Sequence, residues 1–574
     1  MENLKIATIL REMAVFYEMD GVLFKPQAYE RAAQSIESLG EDIANVYKKN
    51  GTKSLTEISG VGKGIADHIE KILLGKHFSE YEELKKKVPV NVSELISVEG
   101  VGPRTVKVLW QKLKIRDLAG LEKAAREGKL KDLPRFGERL EKKILKGIEL
   151  LKKSGGRATL GFALPEVRIM EKVIQDFPEV DQVIIAGSIR RRKETVGDID
   201  ILVVSENPEK VMDRFVALPQ VAHVYAKGKT KTLVKLKNRL DADIRVVPQE
   251  SFGTALNYFT GSKDHNVALR EIAIKKGMKF NEYGLFRGKK IIAGKTEEEL
   301  YKALGLQYIE PEIRENLGEI EMSKQNKLPK LIGYTDLKGD LQVQTDWTDG
   351  EDSIEIMAHA AMEYGLEYIA ITDHTKSLAM TGGSDEKKLL KQMAEIDRIN
   401  KKLKSEHKSF RILKGAEVNI MKDGSLDIID EVLAKLDVVG AAVHSHFKLS
   451  LEEQTQRVLR AVQNPHVDII FHLTGRLIHR RDPIELDIEK IIETAKRRKT
   501  VLEIDAYPDR LDIRDEYIRK CVQKGVRMSI DSDAHSKEHF KLLEYGAAQA
   551  RRGWATKEDI INTRSAEEML KLLK

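Results

Sequence analysis

The spacing of apolar positions changes character along the 574 residues. In the first stretch, helical runs are broken by small glycine loops. "LTEISGVGKGIADHI" (55–69) and "LISVEGVGPRTVKVL" (95–109) each read as an apolar helix, a Gly-Val-Gly turn and a second helix. "LKDLPRFGERLEKKIL" (130–145) is a looser third copy. Farther on, β-branched runs take over. "VDQVIIAG" and "ILVV" bracket the stretch "GSIRRRKETVGDID" (187–200), and "RLDADIRVVPQE" is a further strand-like segment. After "EIEMSKQNKLPKLIGYTDL" the pattern shifts again. Runs such as "YIAITDH", "RILKGAEVNI", "VVGAAVHSHF", "DIIFHLTGR", "VLEIDAY" and "RMSIDSDAH" alternate with amphipathic helices. That alternation predicts a parallel β/α barrel with its loops gathered at the strand ends.

Length adds that one core is not enough, so roughly three to five modules are expected. No run is long and apolar enough to span a bilayer. The N-terminal "MENLKIATILREM" lacks the basic, apolar and small-residue succession of a secretory signal. A single cysteine, Cys521, excludes an intrachain disulfide framework and suits a reducing cytosol. The expectation is a cytoplasmic protein with no membrane partner.

Charge separates the halves. Residues 1–335 carry 59 Lys and Arg against 48 Asp and Glu, a net charge of +11, whereas residues 336–574 carry 39 against 43, a net charge of −4. Only the N-terminal part suits a polyanion. Histidine divides the other way, with ten of the 14 after Gly339. Two chemistries are implied.

A Gly-x-Gly turn opening a helix presents backbone N–H groups at a positive helix end, where a phosphate sits without its base being read. Repeated in a basic region, the motif points to helix-hairpin-helix DNA binding. Asp198 and Asp200 then pose a cost: residues i and i+2 of a strand share a face, and like charges there repel unless a cation intervenes. Asp243 offers a third carboxylate from another strand. Three such groups can hold two Mg²⁺ or Mn²⁺ ions for in-line phosphoryl transfer, with Gly187, Ser188 and Arg191 as triphosphate donors.

A Gly-Ser, an arginine pair, Asp-x-Asp and a distant Asp together resemble the palm of family X DNA polymerases. "YFTGSKDHNVALR" (258–270) and "NEYGLF" (281–286) extend the resemblance into the nucleotide-selection helix and thumb, from residue 1 to about 320. It implies a nucleotide pocket of Gly187, Ser188, Arg191, Gly197, Tyr258, Phe259, Gly261, Lys263 and Asn266. Tyr258 and Phe259 would stand beside the incoming sugar, and Asn266 at the minor-groove edge of the nascent pair. Lys263, where eukaryotic relatives carry an acid, would either add triphosphate affinity or stand solvated. DNA contacts would come from Lys25, Tyr29, Gly60, Gly62, Gly100, Gly102, Arg245 and Arg270, on gapped or primer-template DNA with dNTPs as substrates. One feature departs from the family. His68 occupies the position of the Schiff-base lysine in lyase-active relatives, and imidazole forms no imine. Lys71, one turn farther on, is expected to point elsewhere. Gap-end binding with weak or absent lyase activity is expected.

In the C-terminal part, His374, Glu417, His444, His472, Asp533 and His535 each lie at or just past a strand-like run. Strand ends of a barrel converge on one mouth, so these donors point to several Zn²⁺ or Mn²⁺ ions. The region resembles the PHP (polymerase and histidinol phosphatase) domain, a metal-dependent phosphoesterase that gives 3′→5′ exonuclease in bacterial and archaeal family X enzymes. Asp349 is a further ligand by motif, and His446 either a ligand or a phosphate contact. The first motif is altered: "GDLQVQTDWTDG" carries Gln342 and Gln344, the latter where a ligating histidine is expected. Glutamine is the poorer donor, and the exonuclease is expected to be impaired.

The predicted architecture is multidomain α/β. Residues 1–85 form a helical helix-hairpin-helix domain and 86–155 a second, fingers-like one. The palm covers 156–248, the thumb and nucleotide-selection region 249–320, a linker 321–335, and the PHP β/α barrel 336–574. Two other classes compete with the repair polymerase. One is mainly a DNA phosphoesterase with an N-terminal DNA clamp; the other is a non-catalytic DNA-end binder. A template-independent nucleotidyltransferase is a variant of the leading reading.

Overall fold

The computed structural model describes every residue except 1, 38, 40, 41, 99, 134, 135, 154, 155 and 407. Glu99 of the second hairpin and Pro134 and Arg135 of the looser third copy therefore lie outside the described residues. Up to Lys153 the described elements are helices. In the first hairpin, Thr52–Leu55 leads into Lys63–Leu73; in the second, Val92–Ile96 leads into Pro103–Leu113. Gly60 and Gly100 turn the chain with φ of +71° and +91°, a region that side chains with a Cβ avoid. The turn valines Val61 and Val101 are buried in one apolar cluster that includes Ile6, Ile69, Leu109 and Ile148, so both hairpins share a core.

The next sheet has five strands: β1 (Gln182–Ile185), β2 (Asp198–Val204), β3 (Val221–Lys227), β4 (Lys231–Leu236) and β5 (Asp241–Val247), in the order β1-β2-β5-β4-β3. Only β2 and β5 run parallel, with Asp200 opposite Asp243. Ile199, Ile201 and Val203 of β2 share a buried cluster with Ala242, Ile244 and Val246 of β5 and with the helix Leu160–Gln175. That parity leaves the aspartates on the opposite face. Helices Phe252–Thr260 and Lys263–Lys275 follow, then an antiparallel meander of β6 (Lys279–Asn281), β7 (Gly284–Arg287) and β8 (Lys290–Ala293).

The C-terminal region is a seven-stranded, all-parallel sheet in chain order: β9 (Gly339–Val343), β10 (Tyr368–Ile371), β11 (Arg411–Asn419), β12 (Val438–Ala442), β13 (Ile469–Ile470), β14 (Val501–Asp505) and β15 (Met528–Asp531). It curls until the ends meet. Gln344 donates its N–H to Ala534 O at 2.8 Å, and Ala534 N–H returns to Gln342 O at 3.2 Å. Leu341, Tyr368, Ala370 and Leu413 share an apolar cluster with Met569, while the other parity, Ile369, Ile371 and Ile412, packs with Met357 and Ala361 of a covering helix. The barrel is not a separate bead. Its Leu511, Leu542 and Tyr545 complete the core beneath the five-stranded sheet, and its Trp554 packs with Leu300 and Ile313. Among the described residues, no helix is long and apolar enough to cross a membrane.

Candidate functional site

Strand β2 begins with the arrangement read from the sequence: Asp198 and Asp200 on one face, with Asp243 beside Asp200 on β5. Burial, then the charges of Asp198 and Asp243, push the Asp200 carboxyl up to about 7. Asp243 Oδ2 takes Arg245 Nη2 and Lys231 Nζ, each at 3.2 Å, but its buried Oδ1 has no hydrogen-bond partner. A carboxylate cluster with an orphaned oxygen and a neighbour held near neutrality fits divalent cations. Gly187 lies directly against this face with φ of +64°, and a Cβ there would overlap Asp200 Oδ2. Ser188 Oγ is buried and unpartnered beside it.

Other expected donors are already engaged. Arg191 bonds the Thr260 carbonyl and, through Nε, Glu315 Oε1 at 3.2 Å. Gly261 is tight against it, since a Cβ would come within 3.0 Å of Arg191 Nη1. Arg245 lies over the Phe259 ring at 4.3 Å, so as placed it braces the aspartates and the Tyr258–Phe259 pair. Asn266 is buried, donating to Tyr258 O at 2.7 Å, and Arg270 Nε bonds Asn266 O at 3.3 Å. Lys263 is exposed at the start of its helix, and Gly197 sits beside Arg157.

Beneath these helices is a buried polar network that the sequence reading missed. Arg190 and Arg314 both clasp Glu297, whose carboxyl they hold, against its burial, down at about 2. Arg314 and Tyr301 bond Asn257, and His265 joins Tyr301 to Glu319. These partners are spread from residue 190 to 319 with no local pattern to announce them.

At the first hairpin, the structure brings Lys25, Tyr29 and His68 together. Tyr29 Oη and His68 Nδ1 are 2.7 Å apart, His68 Nε2 reaches Glu80 Oε2 at 3.2 Å, and Lys25 Nζ reaches Glu80 Oε1 at 3.2 Å. Burial holds the His68 pKa below its ordinary value, and the charges of Lys71 and Lys25 add to this against Glu80. Lys71 is thus near enough for its charge to be felt at His68. Gly62 and Gly102 cap their helices without a side chain, leaving the first-turn N–H groups to an outside acceptor. Ser59 of this hairpin faces Glu351 and Asp352 of the barrel at 3.3 and 3.4 Å.

In the barrel the expected ligands meet at the C-terminal mouth, around Glu417. His444 Nε2 and His472 Nε2 approach its Oε1 at 3.0 and 2.9 Å, and His374 Nδ1 its Oε2 at 3.3 Å. His374 and His444 hold this carboxyl ionised far below the usual range against complete burial. Two sets of donors can each hold an ion: Asp349, His374 and His535, and His374, Glu417 and His444. Asp533 stands beside His535 with its Oδ1 3.8 Å from Nδ1. His446, His472 and Asp533 have left-handed backbone φ of +55°, +26° and +51°, the kind of strain that collects at functional mouths. His446 belongs to neither set; its carbonyl accepts from Gln454.

The altered motif faces the same centre. Gln344 Nε2 donates to Glu417 Oε2 at 2.8 Å, so an N–H points where an imidazole lone pair was expected. Gln342 is fully buried with both amide atoms unpartnered. Arg510, 3.6 Å from Asp505 and 3.7 Å from Asp533, adds a cation at this mouth that the sequence reading did not single out. The run "VLEIDAY" contained Asp505, but nothing in the sequence joined it to Arg510.

A helix-hairpin-helix domain model matches residues 1–78 and a SAM-like helix-hairpin-helix tandem matches 92–149. A DNA polymerase beta palm model matches 165–249, and a DNA polymerase beta thumb model 255–315. The DNA polymerase/3′-5′ exonuclease PolX of Bacillus subtilis (strain 168) is 36% identical over 579 residues, all of both chains. DNA polymerase lambda of Rattus norvegicus is 27% identical over 351 residues, 54% of this chain and 56% of that one. A probable phosphatase of Acetivibrio thermocellus is 33% identical over 191 residues, 32% of this chain and 73% of that one.

Proposed function

Because the chain belongs to the family X DNA polymerases that carry a C-terminal PHP domain, we propose that it fills short gaps during DNA repair and that its barrel is a weakened 3′→5′ exonuclease. The observation that carries this reading is the parallel register of β2 and β5, which sets Asp198, Asp200 and Asp243 together beside Gly187. Those carboxylates would hold Mg²⁺ or Mn²⁺, which when bound supplies charge neutralisation for the attacking and leaving oxygens. Ser188 Oγ, buried without a partner, is ready to donate to a phosphate oxygen. Gly187 keeps that approach open because any side chain would meet Asp200. Tyr258 and Phe259, braced by Arg245, would set the sugar, with Asn266 held behind them by the Asn257 amide. The hairpin N-termini and Lys25 would hold the 5′-phosphate across the gap.

In the barrel, Asp349, His374, His535, Glu417 and His444 would retain one or two ions of the Zn²⁺ or Mn²⁺ class. Gln344 spends one Glu417 oxygen on a hydrogen bond and offers no imidazole. Weak hydrolysis follows. The partition at 85, 155, 248, 320 and 335, a monomeric state and a nucleoid location belong to the same proposal. Incubation with one-nucleotide-gapped DNA, the four dNTPs and Mg²⁺ or Mn²⁺ tests it: gap filling supports the polymerase reading, degradation alone the phosphoesterase reading, and binding alone the end-binder.

A further inference from the structure

We propose that Arg552, contributed by the barrel, is a positioning residue for the polymerase reaction: it anchors the palm loop at the Arg191 carbonyl and shares Glu315 with Arg191, so that Glu315 does not by itself neutralise Arg191 and the loop keeps its positive charge towards an incoming triphosphate. The inference rests on the palm being the polymerising site.

Arg552 ends the barrel helix Leu543–Arg552 and its side chain is 4% exposed. Nη1 donates to Arg191 O at 2.8 Å, to Glu312 O at 3.2 Å and to Glu315 Oε1 at 3.1 Å. Nε and Nη2 bond Asp515 at 2.9 and 2.6 Å, which fixes the guanidinium to its own domain. One barrel side chain therefore grips the palm backbone at the residue expected to meet the triphosphate. The grip reaches Gly187 and Ser188, because Arg191 N–H bonds Gly187 O at 3.2 Å and Lys193 N–H bonds Ser188 O at 3.0 Å. A second barrel contact, Glu544 with Arg192 at 3.0 Å, holds the same loop.

Charge gives the second half of the argument. Glu315 Oε1 is shared by Arg552 at 3.1 Å, Arg191 at 3.2 Å and Lys193 at 3.4 Å. With Arg552 present, three cations face Glu315 and Asp515, and the group keeps a positive charge. Without it, Glu315 and Asp515 offset Arg191 and Lys193, and the attraction of this group for a triphosphate is weakened.

The test is dNTP titration in gap filling on one-nucleotide-gapped DNA, with thermal unfolding and DNA affinity measured on the same proteins. Arg552→Gln should raise the dNTP KM about tenfold or more, the loss expected from a charge-assisted contact. The kcat and gapped-DNA affinity should be nearly retained. Arg552→Lys keeps a charge opposite Glu315 and should recover most of the KM. An unchanged KM overturns the proposal. So does a fall in kcat that tracks a lowered Tm with KM unmoved, because that assigns Arg552 a purely structural role. Asp200→Asn runs alongside: if it fills gaps, the palm reading fails rather than the role of Arg552.

Discussion

Asp200 sets the balance at the scale of single residues. Its carboxyl, pushed up to about 7 by burial and by Asp198 and Asp243, binds a proton in the folded protein at pH values where the unfolded chain has lost it. In the cation-free protein this group therefore favours folding as pH falls from about 7 towards 4, and opposes it as pH rises. Asp200→Asn should raise the cation-free Tm by roughly a few degrees at pH 8, while at pH 5 the two proteins should converge. Added Mg²⁺ should raise the Tm of wild type and leave the variant where it was. Scanning fluorimetry reads all of this, and a lower variant Tm at pH 8 would contradict the account. Gln344 is the other telling residue. Gln344→His replaces a donor amide with an imidazole lone pair beside Glu417, so elemental analysis should find more bound metal and Mn²⁺-dependent degradation of single-stranded DNA should rise. No change in either would remove position 344 from the ligand set. The aspartates were legible because period-two spacing makes like charges meet. Asp505 and Arg510 were not, since only the loop beyond β14 brings them together.

Among elements, the hairpins carry substrate choice. Gly60 and Gly100 are held in left-handed backbone, and the helices they lead into begin without side-chain caps. If those N-termini and Lys25 take the 5′-phosphate, removing it should weaken binding to a short gap, and rising salt should weaken it steeply. Equal affinity for phosphorylated and unphosphorylated gaps would contradict this. Borohydride trapping on an abasic 5′-end should yield little adduct, because it is His68 that faces Tyr29 and the neighbouring Lys25 amine is paired with Glu80; abundant adduct would show that a lysine reaches the sugar. The Gly-Val-Gly turns were readable from sequence because only glycine adopts the turn cheaply. Strand length was less so: "DIIFHLTGR" yields a strand of only Ile469 and Ile470, since the chain leaves the sheet to carry His472 to the mouth.

For the whole molecule, the barrel is built into the polymerase rather than appended to it. Leu511, Leu542 and Tyr545 finish the palm core, Trp554 joins the thumb cluster, and Arg552 bridges the two. The sequence showed a change of pattern near residue 335 and opposite net charges on either side, which describe two chemistries. It did not show their contact, because the residues that make it lie hundreds of positions apart and have no shared periodicity. The central claim is that the chemistry of nucleotide addition is performed at Asp198, Asp200 and Asp243. The most direct measurement is single-turnover filling of a one-nucleotide, 5′-phosphorylated gap by wild type and Asp200→Asn at equal occupancy of DNA. The account predicts a rate lower by about a thousandfold or more in the variant, with DNA affinity retained. Filling by Asp200→Asn at near the wild-type rate would contradict it.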